Sequence, residues 1–239
     1  MTAQRSLPLT ILNIITGAAL IFFLYMALVW APPAANLQGA EQAAQRIFYI
    51  HMGNNAAAGL AFLATFFAGI LYLITRRKIW DTIGVSGVEL GIAFATGTLI
   101  TGSIWARPTW NTYWTWDPRL TTSAIVWLLY IAYLMLRGAV ENPEQRARFA
   151  SVYGIFAFIG VPLTYFSIRW WRTIHPVVIG GENAAAQGGF AMGPSIRLVM
   201  MLGMAVYTLL FITLMIHRVR LEQMRDRVAA LREQQSVQA

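Results

Sequence analysis

The sequence contains no cysteine, and this absence excludes several kinds of site. Without thiols the chain can form neither a disulfide framework nor a thiolate metal site, and it has no Cys-x-x-Cys-His segment for covalent attachment of a c-type heme. It also carries no Walker A segment, so an ATPase step would have to come from a partner. A metal or heme in this protein would therefore have to be held by side chains other than cysteine, without a thioether bond.

Charged residues are scarce as well. They make up 12% of the chain, whereas 57% of the residues are hydrophobic, and the mean hydropathy is +0.55; soluble domains average about 25% charged residues. The composition is therefore that of an integral membrane protein. A net charge of +8 would suggest nucleic acid in a soluble protein, but in a membrane protein the position of the cations relative to the helices sets the topology, and no nucleic-acid partner is expected.

Six apolar stretches are each close to the roughly 20 residues that an α-helix needs to cross a bilayer. They run from Leu9 to Trp30, His51 to Thr75, Gly84 to Ala106, Thr121 to Arg137, Phe149 to Trp170 and Ile196 to His217. The sequence predicts an all-α fold, a polytopic membrane bundle of six transmembrane helices with external loops. The first stretch, followed by "VWAPPAAN", could be a cleaved signal peptide, but it is longer than a signal-peptide core, so we expect a retained helix. Membrane lipid is an expected partner of the bundle.

The cations fall mostly on one side of these helices. The segments "TRRKIWD", "RGAVENPEQRARF" and "HRVRLEQMRDRVAALREQ" are cationic, and the only Lys or Arg residues predicted on the other side are Arg46, Arg107, Arg119, Arg169, Arg172 and Arg197. The positive-inside rule therefore predicts cytoplasmic termini and places the loop near residue 115 in a periplasm or its equivalent.

Two regions are expected, a membrane domain over residues 1–217 and an amphipathic cytoplasmic tail over residues 218–239. In the tail, Leu221, Met224, Val228 and Leu231 follow a 3-4-3 spacing that is typical of one apolar helix face. Such a helix could extend the sixth span, lie on an anionic leaflet, or dock on a partner subunit. The pattern does not choose among these three.

Two features of the third helix also carry predictions. Glu89 lies within the span, where a carboxylate is costly, and it is expected to reach the interface or to pair with the cations of residues 76–78. Gly87, Gly91, Gly97 and Gly102 favour close helix packing.

The stretch "PTWNTYWTWDPRLTT", residues 108–122, sets the aromatic side chains of Trp110, Tyr113, Trp114 and Trp116 beside Asp117. One interpretation is an interfacial aromatic belt, as in many membrane proteins. The other is a platform for a flat ligand, which better explains a carboxylate among the rings. Asp117 is expected to pin the loop, either by pairing with Arg119 or by capping the fourth helix.

Two of the three histidines share the predicted face of this loop. His51 is expected to begin the second helix, His175 follows the fifth, and His217 lies at the opposite end of the sixth. A lone histidine at a helix end is usually only an interfacial polar residue. Two of them beside an aromatic platform fit an iron porphyrin held between imidazoles, with rings that contact the macrocycle. The guanidinium groups available for its propionates are those of Arg107, Arg119, Arg169 and Arg172.

The segment "TGSIWARPTWNTYWTWDPRLTT" resembles the tryptophan-rich WWD signature of heme-handling proteins in cytochrome c biogenesis. With six helices and two external histidines, the chain to about His217 is similar to the cytochrome c maturation protein C (CcmC, heme exporter protein C) family. The positions that match the signature are Trp110, Trp114, Trp116, Asp117, Arg119, Leu120 and Thr121. Asn111 stands where the family usually has Gly, and Tyr113 where it has Trp. Met52 and Gly53 follow the first histidine where Val-Pro is frequent.

The resemblance implies a transport and assembly factor with no catalytic turnover. His51 and His175 occupy the places of the family's external histidines, and would be the axial ligands of heme b. Such proteins present heme at the outer face of the bacterial inner membrane to a CcmE-type periplasmic chaperone. Their further partners are a CcmA/CcmB-type ABC transporter and a CcmD-type small membrane subunit.

Three other classes remain open at this point. A b-type cytochrome subunit would bind heme for electron transfer, but its histidines generally face each other within the span. A heme lyase of the CcsA or CcmF kind shares the tryptophan signature, but resembles larger bundles with further histidines. A channel or transporter unrelated to heme would be colourless after purification.

Overall fold

The computed structural model describes residues 7–179 and 191–238, and in these ranges the chain is an all-α bundle. The helices are α1 (Leu7–Tyr25), which continues into a π-helical turn (Met26–Trp30), α2 (Gly39–Thr75), α3 (Lys78–Trp110), α4 (Pro118–Ala139), α5 (Pro143–Phe158), α6 (Gly160–Trp170) and α7 (Pro194–Gln238). Of the predicted domain 1–217 the structure therefore describes residues 7–179 and 191–217, and of the predicted tail 218–239 it describes residues 218–238.

Six helical segments of the described chain are long and apolar enough to cross a membrane. They correspond to α1 with its π-helical turn, α2, α3, α4, the pair α5–α6, and α7. The prediction of an all-α, multi-pass membrane bundle is therefore confirmed. The fifth span is interrupted between Phe158 and Gly160, where Pro162 has no N–H to offer the carbonyl of Phe158.

The bundle has two distinct ends. We name the loop end by the connections of residues 31–38, 111–117 and 171–179, and the tail end by the short connections of residues 76–77 and 140–142 together with the tail. Each span runs from one end to the other, so consecutive spans alternate in direction.

The second helix begins earlier than the sequence predicts. It starts at Gly39, so His51 lies twelve residues inside α2 and not at its first turn. The apolar pattern missed this part because "GAEQAAQRIF" is only half hydrophobic. The buried Gln45 side chain bonds to the backbone of the segment that precedes α2. It accepts a hydrogen bond from the Ala34 N–H at 2.6 Å and donates one to the Pro32 carbonyl at 3.2 Å.

The third helix extends further than predicted. It ends at Trp110, so Arg107 and Trp110 belong to its last turn and not to the loop. Asn111 terminates it with a φ of +57°. This left-handed conformation favours Gly first and Asn next, so Asn111 is suited to end the helix.

Helices α2 and α3 pack closely through glycine, as predicted. A Cβ atom on Gly87 would lie 2.5 Å from Thr65 Oγ1 and 2.9 Å from the Ala61 carbonyl oxygen. A Cβ atom on Gly91 would lie 2.3 Å from the Phe62 ring. The backbones can therefore approach only because side chains are absent at these positions.

The tail end is held by ion pairs. Both carboxylate oxygens of Glu89 accept from the Arg218 guanidinium, so the partner of Glu89 is on α7 and the predicted pairing with residues 76–78 was wrong. Arg218 also pairs with Glu222 at 2.7 Å, and Lys78 pairs with Asp226 at 2.8 Å. These contacts fix the first turns of the tail against the start of α3.

The structure shows the tail as a direct extension of the sixth span. Helix α7 continues without interruption from Pro194 to Gln238. The side chains of its predicted apolar face are 40–59% exposed, and they are Leu221, Met224, Val228 and Leu231.

The close contact of α2 with α3 predicts a strong asymmetry between two glycine substitutions. Gly87→Ala should lower the free energy of unfolding by about 1–3 kcal/mol, because the new methyl group overlaps backbone that cannot move away. Gly17→Ala in α1, where a Cβ meets nothing within 4 Å, is the matched control. Thermal unfolding in detergent measures both, and equal midpoints would contradict the packing described here.

Candidate functional site

A cavity of about 290 Å³ opens at the loop end between the α2–α3 pair and the α4–α6 pair. Five of the predicted ligand-binding residues line it, namely His51, Trp110, Trp114, Arg119 and His175. Further into the bundle its wall is apolar, formed by Ala58, Phe62, Ala95, Val126 and Val161. The structure therefore joins both histidines, two of the four aromatic residues and one arginine into a single site with a largely hydrophobic wall.

His51 is buried in α2 and its imidazole is fixed by α3. Its Nδ1 lies 3.1 Å from the Thr98 carbonyl oxygen and 3.2 Å from Thr101 Oγ1. Because a carbonyl oxygen can only accept, Nδ1 carries the proton and Nε2 keeps its lone pair. Gly102 leaves the space for the ring, since a Cβ there would lie 3.1 Å from His51 Cε1.

His175 lies in the irregular segment after α6, and its ring is arranged in the same way. Its Nδ1 is 3.0 Å from the carbonyl oxygen of Pro176, so Nε2 is again the unprotonated nitrogen. Burial, with the positive charge of Arg119 and the nearby His51, lowers the pKa of His175 to about 3. The imidazole is therefore neutral at pH 7, which is the form that ligates metals.

Each imidazole also packs beside a tryptophan of α3. The ring centroids of His51 and Trp105 are 6.3 Å apart, and those of His175 and Trp110 are 6.5 Å apart. Ligating histidines typically donate their second N–H to a carbonyl, which fixes tautomer and orientation. Both side chains thus have the arrangement expected of a metal ligand.

Asp117 caps the fourth helix, which confirms one of the two predicted ways of pinning the loop. Its carboxylate accepts from the Arg119 backbone N–H at 2.9 Å. The second oxygen accepts from Thr173 Oγ1 at 2.7 Å and from the Ile174 N–H at 2.9 Å. The aromatic segment is therefore tied to the segment that carries His175.

Arg119 is the cation of the site. Its guanidinium is partly buried and donates to the Thr164 carbonyl at 2.5 Å. Within the described ranges it forms no ion pair, although Asp117 is close in sequence. A positive charge thus faces a largely apolar cavity, and an anionic group on a ligand would complement it.

The other predicted cations lie outside the cavity wall. Arg107 donates to the carbonyl and side-chain oxygens of Asn111, and its guanidinium lies 5.7 Å from the centroid of the Tyr113 ring. Arg172 is exposed, and Arg169 donates to the Ile179 carbonyl. The structure brings Arg119 to the histidines and leaves these three off the cavity wall, with Arg107 and Arg172 exposed and Arg169 half-buried.

The predicted aromatic platform divides into two parts. Trp110 and Trp114 line the cavity, whereas Tyr113 is 60% exposed and Trp116 is 82% exposed. Trp114 and Trp116 still contact each other edge to face, with centroids 6.1 Å apart. The inner pair can touch a ligand in the cavity, and the outer pair forms an aromatic surface beside it.

Several polar residues of the site were not found in the sequence. Asn55 lines the cavity one helical turn after His51, and this spacing would have placed the two on one face of α2 had its start been recognised. Thr173 is buried at 2% exposure between Asp117 and His175. Nothing in the sequence pattern marks Thr173, because the carboxylate that accepts from its hydroxyl is 56 residues away.

Comparison with known proteins identifies the family. The family model for heme exporter protein C (CcmC) matches residues 2–234. The chain is 33% identical to heme exporter protein C of Bradyrhizobium diazoefficiens over 202 residues, which cover 82% of this chain and 73% of that protein. It is 31% identical to the Paracoccus denitrificans protein of the same name, over 85% and 83% of the two chains. For the Escherichia coli K12 protein the identity is 25%, over 66% and 64%. The chain therefore belongs to the heme exporter protein C family of cytochrome c maturation.

Proposed function

We propose that this protein binds heme b at the loop-end cavity and delivers it for cytochrome c maturation. The observation that carries the proposal is the pair of imidazoles on the wall of one cavity, each with Nδ1 within hydrogen-bond distance of a backbone carbonyl, which leaves Nε2 available to a ligand. Two histidines from separate elements are a common axial pair for iron in a porphyrin. His51 and His175 are the proposed iron ligands.

The rest of the cavity suits a porphyrin. Trp110 and Trp114 offer aromatic contact to a flat apolar ring, each worth on the order of 1 kcal/mol beyond burial. Arg119 is the proposed partner of a propionate, since it is the cation on the cavity wall. Arg107 and Arg172, considered with it from the sequence, would have to reorient to meet a ligand there.

Asp117 has a supporting role in this proposal. Its carboxylate is occupied by Arg119 N–H, Thr173 and Ile174, so it holds the two segments of the site together and does not face the heme itself.

The exposed aromatic side chains suggest how heme leaves. Tyr113 and Trp116 extend the lining pair Trp110 and Trp114 to the surface. A CcmE-type chaperone that covers this surface would lie directly beside the cavity. Delivery of this kind needs no catalytic residue in the chain, and a CcmA/CcmB-type ABC transporter with a CcmD-type small subunit would complete the complex.

The proposed location is the bacterial inner membrane, with both termini cytoplasmic and the WWD loop periplasmic. The distribution of Lys and Arg supports this orientation, since the tail end carries most of them. In that orientation the cavity opens towards the periplasm, where a heme chaperone would collect its cargo.

Electron transfer by a b-type cytochrome subunit receives less support. His217, the third histidine, lies at the tail end and its Nε2 is 2.8 Å from Asn13 Oδ1. In the described residues the histidines thus offer one heme position, at one end of the bundle. A lyase reaction has no additional histidine available in this chain.

Substitution of the three histidines should separate the two cavity residues from the third. His51→Ala and His175→Ala should each abolish the six-coordinate low-spin heme spectrum, because one axial ligand is lost. His217→Ala is the matched control and should keep the wild-type spectrum, since its partner is Asn13. Absorption spectra and heme content of the purified protein measure all three. Wild-type coordination in both cavity variants would refute the ligand assignment.

A second prediction separates the candidate arginines. Arg119→Gln should weaken heme binding about tenfold or more, the usual effect of losing one charge-assisted hydrogen bond. Arg107→Gln and Arg172→Gln should change it less than twofold, because neither side chain lines the cavity. Heme titration of the apoprotein in detergent gives the three dissociation constants. If Arg107→Gln or Arg172→Gln has the largest effect, the propionate partner is that residue.

A further inference from the structure

The two proposed ligands are held in place very differently. His51 lies in the middle of the 37-residue helix α2, where helical hydrogen bonds fix its backbone and Thr98 and Thr101 fix its ring. His175 lies in an irregular segment between α6 and α7. Its position therefore depends on individual hydrogen bonds outside regular secondary structure.

Two of these hydrogen bonds are made by one buried hydroxyl group. Thr173 Oγ1 donates to Asp117 Oδ2 at 2.7 Å and accepts from the backbone N–H of His175 at 3.0 Å. The adjacent Ile174 N–H donates to the same carboxylate oxygen at 2.9 Å. Thr173 is 2% exposed and Asp117 is 8% exposed, so water does not compete strongly for either group.

We propose that Thr173 is a positioning residue that ties the His175 ligand to Asp117 of the WWD segment. This inference rests on the proposed function, because it takes His175 to be an iron ligand. A hydroxyl is required at this position, since the side chain must donate to a carboxylate and accept from an N–H at once. Serine can do both, whereas valine, which has nearly the same shape, can do neither.

The tether couples the ligand to the aromatic surface. Asp117 directly follows the exposed Trp116, so a displacement of this segment is transmitted through Thr173 to the backbone of His175. His51 contacts the WWD segment through its ring, at the Thr101 hydroxyl of α3, and its backbone is held within α2. In this proposal a shift of the aromatic surface moves the backbone of His175 and leaves the backbone of His51, which lies inside α2, in place.

The first test needs no heme. Hydrogen–deuterium exchange of the full-length apoprotein in detergent should show roughly tenfold faster exchange over residues 173–175 in Thr173→Val, because the His175 N–H has lost its acceptor. Thr173→Ser should exchange as the wild type does. Thr122→Val is the matched control, since its hydroxyl donates only within α4, to the carbonyls of Pro118 and Arg119. Unchanged exchange in Thr173→Val would overturn the tether.

The second test examines heme coordination. Thr173→Val should shift the heme spectrum towards that of His175→Ala and speed heme loss to apomyoglobin about tenfold or more, while Thr173→Ser and Thr122→Val keep the wild-type values. A wild-type spectrum and off-rate in Thr173→Val would overturn the positioning role. If the wild type itself shows no bis-histidine heme, the proposed function fails, and faster exchange in the first test would still establish the tether.

Discussion

The arrangement of the loop end depends on the buried carboxylate of Asp117. Three donors converge on it, from Arg119, Thr173 and Ile174, and they come from two segments that are far apart in sequence. An unpaired carboxylate at this depth would be strongly unfavourable, so the fold satisfies it fully. Because one oxygen caps α4 and the other holds the segment after α6, the same group starts a helix and orients a proposed ligand.

The scaffold beneath this site is rigid on one side and open on the other. Glycine contacts bring α2 and α3 together, and the Phe62 ring, next to that contact, stacks on Tyr130 of α4 at 3.7 Å. Nearer the loop end the α4–α6 pair stands away from α2 and α3, and the cavity occupies the gap. Ion pairs at the tail end, with Arg218 at their centre, close the opposite end of the bundle. The ligand site is thus built where close packing stops.

The cavity suits a ligand with three properties, namely a largely apolar body, a metal that binds imidazole nitrogen, and an anionic edge. The imidazole of His175 is kept neutral, and the guanidinium of Arg119 has a hydrogen bond to Thr164 but no carboxylate neighbour in direct contact within the described chain. Introducing an anionic group beside Arg119 would relieve the cost of its partial burial. A heme has all three properties, so the ligand proposed from the cavity agrees with the family to which the chain belongs.

The sequence by itself determined the fold class, the six spans and the family. Hydrophobic runs of membrane length leave few alternatives to helices, because each backbone polar group in lipid must be bonded within its own segment. It also marked Asp117 as a residue that pins the loop, with a cap as one of two alternatives, since Asp before Pro at a helix start is a local signal. Helix ends were less accurate at Gly39 and Trp110, where polar residues continue a helix beyond the apolar run.

Only the tertiary structure decided which of the predicted residues meet. It placed Arg119 on the cavity wall and left Arg107 and Arg172 outside. Of the aromatic residues, Trp110 and Trp114 line the cavity, whereas Tyr113 and Trp116 are exposed. It also paired Glu89 with Arg218 and showed the bond between Thr173 and Asp117. These outcomes depend on the rotation and depth of each helix relative to its neighbours. Contacts between residues 56 or 129 positions apart leave no trace in local periodicity, because that pattern records only which face of a segment is apolar.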